Sequence, residues 1–409
     1  MSPYAGFFTR NGIWNRPRRI IILGVTGSIG TQALDLVENN PDFRVVAVSA
    51  RGTNPEALAA AARRADAEIV GCANIGAASS LRTMMSQRGT VIDGDNAATE
   101  LAGMDADIVL NGITGAIGLR PTLAALNAGT QLALANKESL VAGGALVRAA
   151  IRRPGQVLPL DSEHSAIWQA LRCGIHERGM TSELLTGRSE VSKLVLTASG
   201  GPFRGRRMEQ LADVTPQQAL SHPTWNMGPV VTINSATLMN KGLELIEAHL
   251  LFDIPTADII PVVHPQSVIH SMVTFTDGAT IAQASPPDMH LPIALALSYP
   301  QRFPAAATAN TWERPFSWDF EPVDHETFPA LRLAAWAVGA SATHPAVMNA
   351  ANEVCVRAFT RLQLPFTGII PTVTEVVNEH SGIANPSLED LEGVQHWARV
   401  RAAELVSGS

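Results

Sequence analysis

From Arg19 to about Leu160, short apolar runs rich in β-branched residues alternate with stretches of helical spacing. The runs are RIIILG, RVVAVSA, AEIVGC, ADIVLNG, QLALAN and QVLPL. Strand–helix alternation of this kind predicts a parallel, doubly wound sheet with ligands at the carboxyl ends of its strands. After residue 171 the pattern changes. ERGMTSELLTGRSE is a polar loop, KLVLTAS and VVTI are expected strands, and SATLMNKGLELIEAHLLF carries apolar residues at helical spacing. PVVHPQSVIHSMVTF and ATIAQAS read as strands around a TDG turn, with alternation over 268–275 predicting one solvated face. Residues 299–325 are rich in Pro, Ala and Trp, have no period, and read as a linker. From 326 onward only helical patterns appear, which predicts a small bundle. The expected division is an N-terminal extension (1–18), a doubly wound α/β domain (19–160), a central α+β catalytic domain (161–298), the linker (299–325) and a C-terminal α-helical domain (326–409).

Composition narrows the function classes. A chain of 409 residues with 46% hydrophobic and 16% charged side chains can bury a large core, and its length corresponds to roughly two to three domains. A net charge of −7 argues against nucleic acid as the main partner. The apolar runs stay short of the ~18 residues that cross a membrane, so no membrane partner is expected. Cys72, Cys173 and Cys355 are scattered without metal or redox spacing, which fits a reducing cytoplasm. The first 19 residues hold four arginines and no acid. That composition suits a transit peptide, but a disordered extension is the plainer account.

Three polar clusters carry chemistry. In IIILGVTGSIGTQALDLV, Gly24, Gly27 and Gly30 stand between a strand and a helix, where backbone N–H groups and the helix amino terminus favour a pyrophosphate. The spacing is G-x-x-G-x-x-G, and tight strand–helix packing alone is the competing account. At the end of the second strand, RVVAVSARGTN has Arg51 where NAD binders place an acid. An arginine suits a 2′-phosphate, so NADPH is expected over NADH, against the alternative of a solvated surface charge.

LDSEHSAIWQAL puts Asp161, Ser162, Glu163 and His164 where a strand ends and a helix begins. Helix capping explains Asp161 and Ser162 well, but two acids and a histidine less completely. A hard divalent ion gives another reason for the carboxylates, and it needs a third acid. Asn240, Lys241 and Glu244 lie within one turn of the NSATLMNKGLELIEAH helix, opposite Leu238, Leu245 and Leu250. Glu244 ranks first as the third ligand; Glu247 ranks second and reads better as part of a solvated face. In LANKESLVAGG, Asn136, Lys137 and Glu138 follow a buried strand at the ligand edge, where a lysine can bind an anion or assist proton transfer. Capping is the alternative for Asn136.

Together these clusters resemble the 1-deoxy-D-xylulose 5-phosphate reductoisomerase family. The resemblance runs from about Arg19 to near the C-terminus through GVTGSIGTQALDLV, LANKESLVAGG, LPLDSEHSAIWQAL, LTASGGPFRG, HPTWNMG, NSATLMNKGLELIEA and HPQSVIHSMV. It implies a Rossmann-like N-terminal domain and NADPH held by Thr26, Gly27, Ser28, Ile29, Gly52, Thr53, Asn54, Asn136, Glu138 and Gly228. Many members carry Lys where this chain has Thr53, so Arg51 is expected to substitute. The resemblance further implies a divalent metal (Mg²⁺, Mn²⁺ or Co²⁺) on Asp161, Glu163 and Glu244. It also implies substrate contacts from Lys137, Ser162, Glu163, Ser199, His222, Ser235, Asn240, Lys241 and Glu244, with Ser199, Ser235, Asn240 and Lys241 forming a phosphate pocket. Lys137 is expected beside Glu163. SHPTWNMG is similar to the family's lid, with Trp225 closing over substrate; ordinary packing is its alternative.

The implied activity converts 1-deoxy-D-xylulose 5-phosphate to 2-C-methyl-D-erythritol 4-phosphate, by skeletal rearrangement and then hydride transfer to an aldehyde, in isoprenoid precursor synthesis. A cytoplasmic homodimer is the family expectation. His264 and His270 read as structural. Two rival readings stand beside this one. A plain NADP dehydrogenase would need no three-carboxylate site, and a regulatory protein that had lost catalysis would have shed some of these polar residues.

Overall fold

The computed structural model describes residues 14, 16–85, 89–225 and 227–408. Most of the expected N-terminal extension lies outside the described residues, and the first strand begins at Arg18.

Seven parallel strands form the first sheet among the described residues: β1 (Arg18–Leu23), β2 (Phe43–Ala50), β3 (Ile69–Cys72), β4 (Thr90–Asp93), β5 (Ile108–Asn111), β6 (Gln131–Leu134) and β7 (Val157–Pro159). Their order is β4-β3-β2-β1-β5-β6-β7. Chain order therefore runs outward in opposite directions from the β1–β5 pair, and a crevice opens at the carboxyl ends of the strands there. Ile20, Ile21, Ile22 and Leu23 are fully buried, as the continuous apolar run of a central strand requires. The sequence reading passed over β4, TVID, because this edge strand is partly exposed and has no apolar run to announce it.

The second sheet has order β11-β10-β8-β9-β12, built from β8 (Val191–Ala198), β9 (Ile259–Val263), β10 (Ile269–Phe275), β11 (Thr280–Ala284) and β12 (Glu321–Pro322). Strands β8 and β9 are parallel and the other pairs antiparallel. Along β10 the expected alternation holds for Met272, Val273, Thr274 and Phe275 but fails at its start, where His270 and Ser271 are both buried. The strand lies between β8 and β11 and is covered by the helix Ser162–Leu171.

One expected strand is a helix. VVTI lies inside Pro229–Ala236, which Gly228 caps and Pro229 opens at its first position. The fixed φ of proline suits a helix start, and β propensity spans only ~1 kcal/mol, so burial of Thr232, Ile233, Asn234 and Ala236 overrides it. The chain then breaks at Leu238, whose φ is +58°, before the helix Met239–Phe252. Residues 299–325 are irregular apart from β12. The helices Ala330–Ala340, His344–Thr360, Ile369–Glu379 and Leu388–Ser407 follow, as the periodicity predicts.

Candidate active site

The turn after β1 presses directly on the helix Ser28–Val37. Gly24 adopts a φ of +81°, and a Cβ there would lie 2.7 Å from the Gly112 carbonyl oxygen. A Cβ on Gly30 would lie 2.5 Å from the Val25 Cα. The glycines thus permit a turn that leaves the helix amino terminus facing the crevice. Two cavities, of about 640 and 550 Å³, meet along Gly27, Gly112, Ile113 and Thr114. Ser28 and Ile29 face the larger and Thr26 the smaller. The sequence reading missed Ile113 and Thr114, although the glycine after ADIVLN was the available signal.

The smaller cavity is lined by Arg51 at the end of β2. Gly52 and Thr53 continue that turn, and the Asn54 side chain is committed to the next helix, where its oxygen accepts from Ala57 N at 2.9 Å. The opposite wall comes from the distant helix Leu388–Ser407.

The larger cavity holds the charged cluster. Asn136 caps the helix Lys137–Ala150, accepting from Ser139 N at 2.7 Å and donating to the Gly115 carbonyl at 2.9 Å. The capping role weighed from sequence is therefore present, and it fixes the start of the helix that carries Lys137 and Glu138. Asp161 caps the helix Ser162–Leu171. Lys137 Nζ stands 2.6 Å from Asp161, 2.8 Å from Glu244 and 3.2 Å from Asn240. Lys241 Nζ stands 2.6 Å from Glu163 and also touches Glu244. Lys137 and Glu163 line the same cavity, as expected, but the direct ion pair of Glu163 is with Lys241. Ser162 Oγ bonds the Glu163 carboxylate.

Burial sets the electrostatics. It opposes charge on Asp161, but Lys137 and His164 outweigh it and hold that carboxyl well below its usual range. Burial and then the Glu244 charge push Glu163 up to about 7, despite Lys241. Burial also opposes charge on both lysines; Asp161 and Glu244 nevertheless keep Lys137 protonated, and Glu163 and Glu244 do so for Lys241. Glu138 is raised by burial.

Glu247 departs from its expected place on a solvated face. It is 1% exposed, and its carboxylate lies 3.2 Å from His164 Nδ1. Glu247 turns inward to meet His164, which the Ser162–Leu171 helix contributes. His164 Nε2 meets the Glu244 carbonyl oxygen at 2.8 Å, so the histidine joins the two helices that carry the carboxylates. Burial works against its charge, yet Glu247 and then Asp161 raise it to about 9.

A second polar group lies across the cavity. His222 Nδ1 accepts from Thr224 N at 3.1 Å and Trp225 N at 2.9 Å. The ring therefore carries its proton on Nε2 and donates to Ser199 Oγ at 3.0 Å. Burial lowers the His222 pKa. Trp225, Gly228 and Ser235 line the same cavity. His270, read as structural from sequence, also lines it, 6.2 Å from Trp225. His264 does hold backbone, accepting from Val268 N and Ile269 N through Nε2 at 3.2 and 3.1 Å.

Carboxylate oxygens of Asp161, Glu163 and Glu244 lie within 4.8 Å of one another. Glu244 is 2% exposed, with Oε1 beside Lys137 and Oε2 beside Lys241. Three converging carboxylates with an oxygen-only donor set fit a Mg²⁺- or Mn²⁺-like ion.

Sequence models described as 1-deoxy-D-xylulose 5-phosphate reductoisomerase and its C-terminal domain match residues 20–144 and 157–252, and one described as DXP reductoisomerase C-terminal domain matches 284–401. A Beutenbergia cavernae protein of that name is 58% identical over 396 residues, covering 95% of this chain and 98% of the relative. The chain belongs to the 1-deoxy-D-xylulose 5-phosphate reductoisomerase family. The reductoisomerase fold is equally close. The Zymomonas mobilis enzyme, solved with NADPH, superposes with a TM-score of 0.87 at 40% identity, covering 96% of this chain and 99% of that one. A DOX-P reductoisomerase solved with NADPH, fosmidomycin and magnesium gives 0.86 at 33% identity, covering 95% and 98%.

Proposed function

We propose that this chain converts 1-deoxy-D-xylulose 5-phosphate to 2-C-methyl-D-erythritol 4-phosphate, using NADPH and a divalent metal, for isoprenoid precursor synthesis. The observation that carries the reading is the convergence of Asp161, Glu163 and Glu244 around two lysines, beside a cavity that continues over the glycine turn. When bound, the metal polarises neighbouring substrate oxygens, and NADPH supplies the hydride that reduces the rearranged aldehyde.

The chain's own residues do the rest. Asp161, Glu163 and Glu244 hold the ion. Lys137, kept protonated between two carboxylates, presents N–H donors and a proton to a substrate oxygen that gains negative charge. Ser162 orients the substrate next to it. Ser199, with its oxygen already accepting from His222 and Gly201 N, has its own O–H free to donate to a phosphate. Ser235, Asn240 and Lys241 complete that phosphate pocket, and Trp225 shields it from water. Thr26, Gly27, Ser28 and Ile29 hold the pyrophosphate, Gly228, Asn136 and Glu138 border the nicotinamide half, and Arg51 with Gly52, Thr53 and Asn54 takes the adenosine half.

The reading includes a division at 19–160, 161–298 and 326–409, with the two sheets falling on either side of residue 160. It also includes a cytoplasmic homodimer. Free Cys72, Cys173 and Cys355 support a reducing compartment, and exposed Trp312, Phe316 and Phe320 beside edge strand β12 support self-association. No helix among the described residues is long and apolar enough to cross a membrane.

The direct test mixes protein, NADPH and 1-deoxy-D-xylulose 5-phosphate and follows loss of NADPH absorbance. Oxidation is expected with Mg²⁺ or Mn²⁺ and absent in excess chelator. Full turnover in chelator would remove the metal from the reading.

A further inference from the structure

The smaller cavity has a wall that no motif pointed to. Leu388, Glu392, Gln395 and Arg399, spaced four, three and four residues apart, form one stripe of the C-terminal helix Leu388–Ser407 and face the cavity. Arg120, on the opposite wall, reaches Glu392 through Nε at 2.8 Å and ties the two sides together. Within the stripe Gln395 stands out. It is 4% exposed. Its Nε2 donates to the Leu391 carbonyl oxygen at 3.0 Å, and its Oε1 is buried with no donor among the described residues. The orientation of the amide is fixed, since reversing it would set Oε1 against the Leu391 carbonyl, acceptor against acceptor. A buried acceptor left unpaired costs about 1–3 kcal/mol, so such a group calls for a donor.

The dinucleotide offers one. This step rests on the cofactor reading above, in which the pyrophosphate crosses at Gly27 and the nicotinamide lies beside the carboxylates. The adenosine half then occupies the cavity of Arg51 and Gln395. Within that half, phosphate oxygens only accept and would repel Oε1. The ribose and its 2′-phosphate belong with Arg51 at the end of β2. The adenine amino group is the remaining donor, and Ile117 and Leu388 give its ring apolar surfaces.

We propose that Gln395 Oε1 accepts a hydrogen bond from the 6-amino group of the NADPH adenine, which makes the C-terminal helix a reader of the cofactor base. Gln395 is then a specificity residue contributed by the part of the chain farthest in sequence from the glycine turn.

The test compares NADPH with its deamino analogue, in which hypoxanthine replaces adenine and a carbonyl replaces the 6-amino group. Dissociation constants are measured on the full chain by calorimetric titration, for the wild type and for Gln395→Leu, which removes the acceptor at similar volume. The wild type is expected to bind NADPH about tenfold more tightly than the analogue, the equivalent of one lost hydrogen bond. Gln395→Leu is expected to weaken NADPH about tenfold and to bring the two ligands within about twofold of each other. Loss of discrimination is the readout that a merely structural glutamine would not move. Equal wild-type affinity for both ligands overturns this inference alone, and that comparison stands even where the variant fails to fold. A Gln395→Leu protein that still prefers NADPH also overturns it. Failure of the wild type to bind NADPH overturns the cofactor reading and this inference together.

Discussion

The cavity around Lys137 and the cavity around Arg51 share the wall Gly112–Thr114, yet they hold charge in opposite ways. Around Lys137, two lysines and three carboxylates are packed with little access to water; Lys241 is 5% and Glu244 2% exposed. Each charge there depends on its partners, because an unpaired buried ion is far costlier than a paired one. Around Arg51 the charged groups reach solvent. The Arg120–Glu392 pair is about half exposed and is worth at most about 1 kcal/mol. The first compartment is an interlocked unit in which one change disturbs every partner. The second is a set of nearly independent contacts, each adjusting cofactor affinity by a modest step.

That contrast can be broken most decisively at Glu244. Glu244→Gln removes one of the three converging carboxylates and one partner of both lysines. It should lower kcat/KM at least about a thousandfold, equivalent to about 4 kcal/mol, while NADPH still binds. Turnover near the wild-type rate would move the third-ligand role to Glu247. A smaller effect is expected in the other compartment. Arg51→Ala should weaken NADPH by about tenfold, or about 1.4 kcal/mol, and leave NADH affinity little changed. Equal losses for the two cofactors would remove the 2′-phosphate role from Arg51.

The smallest effect concerns pH. Burial holds the folded His222 pKa below its ordinary 6.5, so the folded chain binds fewer protons there than the unfolded chain. The stability that goes with keeping this buried ring neutral is therefore present above pH 6.5 and is lost as pH falls through the lowered folded value. Titration of the His222 ring by NMR should give a midpoint below 6.5, and a midpoint above it would contradict the effect of burial.

The two compartments also differ in how far they could be read from sequence. Asp161, Ser162 and Glu163 are consecutive and follow an apolar strand, and Lys137 follows another, so their place at the sheet's ligand edge was legible. Glu244 was legible as one face of a periodic helix. Which lysine meets which acid was not, since that pairing depends on how the helices Lys137–Ala150, Ser162–Leu171 and Met239–Phe252 are set against one another. The same packing buried Glu247, which a periodicity argument assigns to solvent. VVTI shows the limit from the other side: a preference worth ~1 kcal/mol yields to Pro229 at a helix start and to packing of its buried face. The Gln395 stripe carried no motif at all, because a glutamine on an amphipathic helix looks the same whether it faces water or a cavity.

By itself the sequence determined the doubly wound sheet, the glycine turn, the helical C-terminal region and the residue types of the charged cluster. These follow from periodicity, from the need for positive φ and close approach at Gly24 and Gly30, and from acids and lysines at strand ends. Tertiary structure alone decided that His164 and the Glu244 carbonyl oxygen, 80 residues apart, lock two helices together. It alone decided that Lys241 rather than Lys137 meets Glu163, and that the last helix walls the adenosine compartment. Those outcomes depend on the rotation and distance between packed elements, which side-chain volumes across the whole core set jointly and no local stretch encodes.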